Sequence, residues 1–569
     1  MTGTDQGNTE PDGADAVGAA APMDTLLTDA TTTIGRWLPG RAGLRFAAAV
    51  ARAPRPAARI ARSTAIELVR IAVGRSEITP DKKDKRFADP AWTGNPALRR
   101  VVQAYLATGA AAQGLVSELD LDWRTDRRMR FLVDNLVEAL APSNSPALNP
   151  AAWKTAIDTG GTSLTRGAGA MVRDLATAPR VPRMIEPDAF VVGRDLAITP
   201  GHVVFRNPLI ELIEYTPATA KVRETPLLIV PPTINKFYVV DLAPGRSLVE
   251  HLVCSGQQVF MISWRNPDED GADWGLDAYA AAVLNALEAV ENITGSKRTV
   301  LLALCSAGLL TSMLLAHLAA TGQQERIGAL SLLVTVLDQK QAGTPGALTD
   351  RRVMAAATAR SARKGYLDGA ALSEVFAWLR PRDLVWNYWV NNYLLGKSPP
   401  AFDILAWNAD STRMPARLHR DFVDLAQDNK LTEPGSAMLC GSPVDLSAAH
   451  VDTYVVAGVA DHLCPWQNCY QTTQLLGGKC RFVLSTSGHI AAIVNPPGNE
   501  NASFHVSEDN PDDAEEWLRN AEKQSGSWWD DYAAWLTAHS GASRDAPTAP
   551  GGQGYQVLAD APGSYVYER

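Results

Sequence analysis

Basic residues are too few in this chain to suggest a nucleic-acid-binding protein. Its 569 residues include 53 Lys and Arg against 62 Asp and Glu, which gives a formal net charge of −9 and an isoelectric point of about 5.6. Proteins that bind nucleic acids usually carry a basic face. We therefore expect no nucleic acid among the partners of this protein.

Cysteine is also scarce, with six residues in the chain. They have neither the density of a disulfide scaffold nor the paired spacing of zinc sites. Cys464 and Cys469 share one loop without further ligands at metal spacing, so we interpret them as packing residues. The sequence thus predicts no metal site, and its cysteines fit the reducing cytoplasm. The six are Cys254, Cys305, Cys440, Cys464, Cys469 and Cys480.

The chain has no hydrophobic run long enough to cross a membrane. The most apolar run, 307–320, is interrupted by His317 and is shorter than the about 20 apolar residues that a spanning helix needs. Acidic residues precede the first basic residue, Arg36, so the positively charged start of a signal peptide is missing. We therefore expect a cytoplasmic protein without a transmembrane segment.

Changes in composition predict four segments. Residues 1–88 form a variable, partly disordered N-terminal segment, because the part up to about Thr33 has few large apolar residues. Residues 89–200 have the apolar spacing of a mainly helical domain, and 201–540 form the catalytic domain. Residues 541–569 are rich in Pro and Gly and are expected to be a flexible tail.

The N-terminal segment contains a basic amphipathic stretch at 44–73, broken at Pro54 and Pro56. Such a stretch either lies on an anionic or hydrophobic surface or forms a solvated helix with a charged face. The sequence leaves both interpretations open.

Short apolar runs alternate with helical stretches from about Thr225 onward, which indicates a parallel sheet covered by helices. A long segment rich in Trp and Tyr, about 338–450, interrupts the alternation and is interpreted as an inserted cap. The predicted fold class is α/β: an α/β-hydrolase fold with a cap subdomain, preceded by a mainly helical N-terminal domain. The apolar runs are 226–230, 258–263, 299–304, 327–336, 451–457 and 479–484.

Cys305 stands between the strand-like run 299–304 and the helix-like run that follows it. In an α/β-hydrolase, a sharp strand-to-helix turn presents the nucleophile at this place. Asp461 and His489 come after later strand-like runs, in the order that this fold requires. We therefore predict a thiolate nucleophile at Cys305 with His489 as its base. His462 is interpreted as structural, because adjacent residues on an extended loop point in different directions.

A tetrahedral oxyanion at this site needs backbone donors. The N–H of Ser306, directly after Cys305, is one candidate, and the second normally comes from the loop after an earlier strand. That loop is 231–238, in which Thr233 and Ile234 are candidates between which the sequence does not decide. Each such donor is commonly worth about 3 kcal/mol.

Several strings of residues are highly specific and lie within about 89–536. They make the chain resemble the polyhydroxyalkanoate (PHA) synthases of the class I or class II type, enzymes that polymerise 3-hydroxyacyl-CoA into storage polyester. The catalytic Cys, Asp and His of that family fall on Cys305, Asp461 and His489. The strings are PPTINKFY at 231–238, SWRNP at 263–267, WNYWVNNYLLG at 386–396, FDILAWNADSTR at 402–413, GHI at 488–490 and NPPG at 495–498.

The resemblance implies an acyltransferase that uses (R)-3-hydroxyacyl-CoA, releases CoA and needs no cofactor. His489 would take the proton of Cys305, whose thiolate attacks the thioester. Asp461 would activate the 3-hydroxyl of the next unit, as the resemblance implies, or only orient His489. Thr335 is expected to line the acyl pocket. Besides the substrate and the growing polyester chain, the expected partners are a second copy in a homodimer and the polyester granule surface with its associated proteins.

The nucleophile turn departs from the pattern of that family. It reads ALCSAG at 303–308, so Ala303 and Ala307 replace two glycines of the usual Gly-x-Cys-x-Gly-Gly. A β-carbon crowds the close approach of strand and helix, which puts the rate of reaction in question. The two alanines leave open a non-catalytic granule-associated homologue. Because fold alone does not decide function, a thioesterase, lipase or polyester depolymerase of the same fold is a second open alternative.

Overall fold

A sheet of eleven strands lies at the centre of the computed structural model, which describes residues 40–176, 178–340 and 351–569. The disorder expected up to Thr33 concerns residues outside these ranges. The strands, in chain order, are β1 (Gly201–Arg206), β2 (Ile210–Tyr215), β3 (Lys221–Arg223), β4 (Leu227–Val230), β5 (Val259–Trp264), β6 (Thr299–Leu304), β7 (Ile327–Leu333), β8 (Tyr366–Leu367), β9 (Met414–Pro415), β10 (Met438–Leu439), β11 (Ser442–Pro443), β12 (Thr453–Gly458), β13 (Cys480–Ser485), β14 (Ser503–Val506), β15 (Glu522–Ser525), β16 (Ser543–Asp545) and β17 (Ala559–Asp560).

The order across the main sheet is β15-β14-β13-β12-β7-β6-β4-β5-β2-β1-β17. Its six central strands, from β13 to β5, run parallel, and antiparallel strands extend it at both edges. These six are the apolar runs that the sequence predicts as strands, with ends that differ by at most three residues. The largest difference is at β7, which ends at Leu333 because Val334 has a φ of 45°. Nearly all of their side chains are buried, as expected for a parallel sheet with both faces covered.

Among the described residues, seven α-helices precede the sheet. Two of them begin at Asn-Pro pairs: the side chains of Asn95 and Asn149 accept backbone N–H groups of the first turn, and proline occupies the first helical position. The basic stretch 44–73 lies in the first two helices. These helices are α1 (Gly40–Arg52), α2 (Pro54–Ala72), α3 (Ala91–Gly94), α4 (Pro96–Ser117), α5 (Trp123–Ala139), α6 (Pro150–Asp158) and α7 (Thr162–Ala176). No helix in the described ranges combines the length and apolar character needed to cross a membrane.

The helices that follow cover the sheet or belong to the inserted segment. α10, directly after the candidate nucleophile, is buried on almost every side, which explains why its sequence is apolar all round. These helices are α8 (Leu248–Cys254), α9 (Leu276–Thr294), α10 (Ser306–Ala320), α11 (Arg351–Lys364), α12 (Gly369–Leu379), α13 (Asp403–Ala409), α14 (Ala416–Gln427), α15 (Trp466–Tyr470), α16 (Thr472–Leu475), α17 (His489–Ile493), α18 (Ala514–Asn520) and α19 (Trp528–His539).

The chain between β7 and β12 holds the aromatic segment that the sequence predicts as a cap. The rings of Trp378, Trp386, Trp389 and Tyr393 meet in successive edge-to-face contacts, with centroids 5.3–6.2 Å apart. The indole N–H of Trp389 donates to Asn144 O at 3.1 Å, so this series reaches the N-terminal helices. The described part of the segment includes α11 to α14, the short strands β8 to β11 and two π-helical turns, Arg382–Trp386 and Trp389–Leu394.

Polar contacts also join the inserted segment to the N-terminal helices. The Glu138 carboxylate accepts from Arg86 Nη1 and from Arg382 Nη2, each at 2.5 Å. The hydroxyl of Tyr393 donates to Asp174 Oδ2 at 3.0 Å. The partly buried guanidinium–carboxylate contacts span residues far apart in sequence, so they fix the insertion relative to the helices in front of the sheet.

The last residues of the chain, which the sequence predicts to be a flexible tail, contact the edge of the sheet. β17 pairs with β1. The buried Glu211 carboxylate accepts the N–H groups of Ser564 and Tyr565 at 2.9 Å each, and Lys236 Nζ donates to Glu568 O at 2.7 Å. Each of these hydrogen bonds joins residues more than 300 positions apart. The Pro- and Gly-rich composition of the tail therefore does not predict its contacts with the sheet.

We expect Gly167→Ala to destabilise the fold by about 1–3 kcal/mol, because a β-carbon there would lie 1.9 Å from Tyr393 O and push α7 away from the insertion. Gly169→Ala in the same helix is the matched control, since no described heavy atom lies within 4 Å of its β-carbon position. Helix propensity makes that change neutral or stabilising by up to about 1 kcal/mol. Chemical denaturation measures both, and equal free energies of unfolding would contradict the packing.

Candidate active site

Cys305 occupies a sharp turn between β6 and α10. Its φ of 51° and ψ of −119° are uncommon for a residue with a β-carbon. The Cys305 N–H donates to Leu333 O on the neighbouring strand β7 at 2.9 Å, which anchors the turn to the sheet. The thiol is thereby held at the carboxyl edge of the parallel strands, where open α/β sheets keep their ligands.

The loops after β12 and β13 bring Asp461 and His489 to the same edge. His489 Nδ1 lies 2.6 Å from Asp461 Oδ2. The other carboxylate oxygen, Oδ1, accepts the N–H groups of Leu463 and Cys464 at 2.9 Å each. His489 Nδ1–H therefore donates to Asp461, and Nε2 is the ring nitrogen left to face Cys305.

The Cys305 thiol is hydrogen-bonded to Cys464 and to His489. The bond from Cys464 lowers the pKa of Cys305, burial opposes this, and His489 lowers the pKa further, to about 6. Burial alone would lower the pKa of His489, but the charge and hydrogen bond of Asp461, together with Cys305, raise it to about 10. Burial, and then Cys305, raises the pKa of Cys464 well above its usual range. These shifts favour the thiolate form of Cys305, the protonated form of His489 and the neutral thiol form of Cys464.

Cys464 is the functional neighbour that sequence reasoning misses. Its spacing to Cys469 predicts packing, yet the turn that starts at Asp461 places its thiol against Cys305. Its Sγ, the Asp461 carboxylate and a His489 ring nitrogen lie within 4.8 Å of one another, so metal-binding side chains meet where spacing predicts no metal site. The sequence contains one indication of this contact. Cys464 lies three residues after Asp461, in the loop that has to bring the carboxylate to the nucleophile.

The structure places the three oxyanion candidates around the turn. The Ser306 N–H donates to the sulfur of Cys305. The Thr233 N–H donates to Ser306 Oγ at 3.1 Å and is therefore engaged by a side chain. Ile234 lies next to it, buried in the same loop, and its carbonyl accepts from Thr412 N–H at 3.3 Å.

Thr335, expected in the acyl pocket, is fully buried beneath the nucleophile turn. Its hydroxyl donates to the backbone there, at 3.4 Å to Cys305 O. A β-carbon at Gly308 would lie 2.0 Å from Thr335 Oγ1, whereas Ala303 and Ala307 are accommodated in the core. The family pattern has three glycines around the nucleophile. This chain keeps the one at Gly308, where the packing leaves no room for a β-carbon.

A cavity of about 670 Å³ lies between the inserted segment and the chain in front of the sheet, and its lining includes Tyr238 and Arg413. Neither Cys305 nor His489 lines it. Their exposed fractions are 4% and 1%, so the structure shows both groups closed off from solvent.

Residues 226–496 match the family model described as alpha/beta hydrolase fold. Together with the sheet order and the helices in front of it, this match confirms the predicted fold class. The chain is thus an α/β-hydrolase-fold protein with cysteine at the nucleophile turn. Residues 83–252 match a second model, described as Poly-beta-hydroxybutyrate polymerase (PhaC) N-terminus.

Three curated relatives extend the comparison over most of the chain. Poly(3-hydroxyalkanoate) polymerases 1 and 2 of Ectopseudomonas oleovorans are 44% and 45% identical to it, over 89% and 88% of this chain and 90% of each relative. The poly(3-hydroxyalkanoate) polymerase subunit PhaC of Cupriavidus necator is 39% identical over 87% of this chain and 85% of its own. The chain belongs to the poly(3-hydroxyalkanoate) polymerase family, as the resemblance predicts, and it is an acyltransferase.

We expect Gly308→Ala to slow acyl transfer by roughly 100-fold, because its β-carbon would displace Thr335 and move the turn that carries Cys305. Thr335→Ala in the same protein removes the two nearest atoms, Oγ1 and Cγ2, and should restore part of the rate, since the β-carbon of residue 335 remains 2.8 Å away. Ala307→Gly adds no atom and is the control, with a cost of about 1 kcal/mol in helix stability. Similar rates for Gly308→Ala and Ala307→Gly would contradict the tight packing beneath the turn.

We expect Asp461→Asn to slow acyl transfer by about 100-fold or more, because an amide no longer fixes the His489 tautomer that leaves Nε2 facing Cys305. His462→Asn is the matched control, since burial lowers the pKa of His462 to about 4 and this histidine is neutral at pH 7. Its rate should stay close to wild type. The measurement is the initial rate of CoA release, and an equal loss in both variants would argue against a specific role for Asp461.

Proposed function

We propose that this chain polymerises (R)-3-hydroxyacyl-CoA into a polyhydroxyalkanoate with release of CoA, through an acyl group carried on Cys305. The observation that carries the proposal is the placement of Cys305 on the sharp turn after β6, beside His489, whose Nδ1 lies 2.6 Å from Asp461 Oδ2. A thiolate is the reactive form of cysteine and accepts acyl groups from thioesters directly. The names of the relatives supply the substrate class.

The cycle has two acyl transfers. In the first, the Cys305 thiolate attacks the thioester carbonyl, the tetrahedral intermediate collapses to acyl-Cys305, and the leaving CoA thiolate takes the proton from His489 Nε2. In the second, neutral His489 takes the 3-hydroxyl proton of a second acyl-CoA, whose oxygen attacks acyl-Cys305. An ester bond forms, the Cys305 thiolate leaves, and the thiolate–imidazolium pair is restored.

The hydrogen bonds of Asp461 support an orienting role for this residue. Oδ2 is bonded to His489 Nδ1, and Oδ1 accepts two backbone N–H groups. With both oxygens engaged, the carboxylate is poorly placed to take a proton from a substrate hydroxyl. In the proposed cycle Asp461 therefore fixes the His489 ring, and His489 activates the hydroxyl.

The proposed oxyanion donors are the N–H groups of Ser306 and Ile234. The Ser306 amide faces the reacting sulfur. The Thr233 amide donates to Ser306 Oγ instead, which favours Ile234 as the second donor. Two donors of this kind stabilise the tetrahedral oxyanion by about 3 kcal/mol each.

Burial of the reacting groups supports a synthase over a hydrolase of the same fold. Cys305 and His489 lie beneath the loops at the sheet edge, and a dry site protects an acyl-cysteine from hydrolysis. Ala303 and Ala307 are packed in the core, so their presence gives no reason to expect an inactive nucleophile turn. Neither alternative therefore has an observation in its favour.

The proposal extends to the partners of the chain. α1 and α2 are basic and expose Leu44, Ile66 and Val69, a combination suited to the surface of a polyester granule. The resemblance of the sequence also implies association with such granules and their proteins, and a homodimer, and the proposal includes both.

The test is incubation of the purified protein with a panel of (R)-3-hydroxyacyl-CoA thioesters, with CoA release and insoluble polyester measured together. We expect both products from the wild type, neither from Cys305→Ala, and both from Cys469→Ala, which removes another buried thiol. CoA release with only free hydroxy acid would identify a thioesterase. Absence of release from every thioester would leave the non-catalytic homologue.

A further inference from the structure

The loop 231–238, which carries the proposed oxyanion donor Ile234, is hydrogen-bonded to its surroundings at several points. The Thr233 N–H donates to Ser306 Oγ at 3.1 Å, so the loop contacts the nucleophile turn directly. The Thr412 N–H donates to the carbonyl of Ile234 at 3.3 Å, which ties the loop to the inserted segment. A further connection is made by a side chain of the loop itself.

Lys236 connects this loop to the tail of the chain. The residue is 3% exposed, and its Nζ donates to Glu568 O at 2.7 Å and to Tyr565 O at 3.4 Å. Its own carbonyl accepts from the Trp407 indole N–H at 2.8 Å, so the backbone of Lys236 is fixed as well. A buried ammonium is costly unless its N–H groups are hydrogen-bonded, and two tail carbonyls supply these bonds. The position of this side chain therefore depends on the tail.

The tail is in turn anchored to the sheet. The Glu211 carboxylate on β2 accepts from Ser564 N–H and Tyr565 N–H at 2.9 Å each. Asn266, which follows β5, donates from Nδ2 to Glu568 O at 3.4 Å. The carbonyls that receive the Lys236 ammonium are thus held in place by strands on the other side of the tail.

We propose that Lys236 is a positioning residue for acyl transfer, because it couples the anchored tail to the loop that contacts the nucleophile turn. The path of contacts runs from Glu211 through the tail to Lys236. It continues along the loop to Thr233, which contacts Ser306. Lys236 holds the backbone from which Ile234 donates. Its effect on the reaction rests on the proposed function, whereas the coupling of tail and loop does not.

A displaced oxyanion donor slows the reaction rather than weakening the binding of substrate. The oxyanion forms only on the way to the tetrahedral intermediate, so its donors act on the transition state and not on the bound thioester. A displacement of about 1 Å can cost about 100-fold in rate. Loss of the Lys236 contacts should therefore lower kcat and leave KM nearly unchanged.

The first test measures kcat and KM for CoA release in Lys236→Met. Methionine keeps the length of the side chain and removes the N–H donors, so we expect kcat to fall by about 10–100-fold, with KM within about twofold of wild type. Lys236→Arg keeps a cation with N–H donors and should recover part of kcat. A raised KM with unchanged kcat would overturn the positioning role.

Lys221→Met is the matched control for this measurement. Lys221 Nζ also contacts the tail region, at 2.9 Å from Asp545 Oδ1, but it does so from β3, which pairs with β16. Its variant should keep the wild-type kcat. Equal losses of kcat in Lys221→Met and Lys236→Met would contradict a specific role for Lys236.

Glu211→Gln tests whether the effect passes through the tail. Glutamine replaces one of the oxygens that accept from Ser564 and Tyr565 by an amide, so the tail is held less firmly. We expect kcat to fall with KM unchanged. The double variant with Lys236→Met should be about as slow as the slower single variant, since both changes break one path. An unchanged kcat in Glu211→Gln, or losses that multiply in the double variant, would refute the path.

Hydrogen–deuterium exchange measures the coupling without any substrate. Peptides that cover 231–238 should exchange faster in Lys236→Met and in Glu211→Gln than in wild type and Lys221→Met. Circular dichroism establishes that each variant is folded. Unchanged exchange in this loop refutes the positioning role, whether or not the wild type makes polyester. Absence of CoA release by the wild type from every thioester refutes the proposed function, and the exchange result then still decides whether tail and loop are coupled.

Discussion

The positive φ of Cys305 is the constraint on which the site depends. A residue with a β-carbon held in such a conformation costs on the order of 1–3 kcal/mol, and the surrounding structure has to supply that energy. Here the bond from Cys305 N–H to Leu333 O holds the turn from one side, and Thr335 packs beneath it with no room for a β-carbon at Gly308. The sheet therefore determines the direction of the thiol.

Charge inside the site is tolerated because nearly every polar group there has a partner. Burying an ion pair is costly unless hydrogen bonds satisfy both members. Asp461 engages both of its oxygens, His489 bridges Asp461 and Cys305, and the Cys464 thiol and the Ser306 amide donate to the sulfur. Hydrogen bonds thus compensate for the burial of these groups.

The cover over the sheet is fixed from the N-terminal side rather than by the sheet alone. Glu138 receives Arg86 and Arg382, the Trp389 indole reaches Asn144, and α7 approaches the backbone of Tyr393 at Gly167. The N-terminal helical region is therefore a structural support of the inserted segment. It sets the position of the aromatic segment between β7 and β12.

The sequence by itself determined the six parallel strands and the order of Cys305, Asp461 and His489. Apolar periodicity and chain order are local properties, so they can be read without coordinates. The tertiary structure alone decided that Cys464 touches Cys305, that the Thr233 amide is engaged by Ser306, that Thr335 supports the turn, and that Glu211 holds the tail. Each of these contacts joins residues on separate loops or strands, and their proximity depends on how the whole sheet packs.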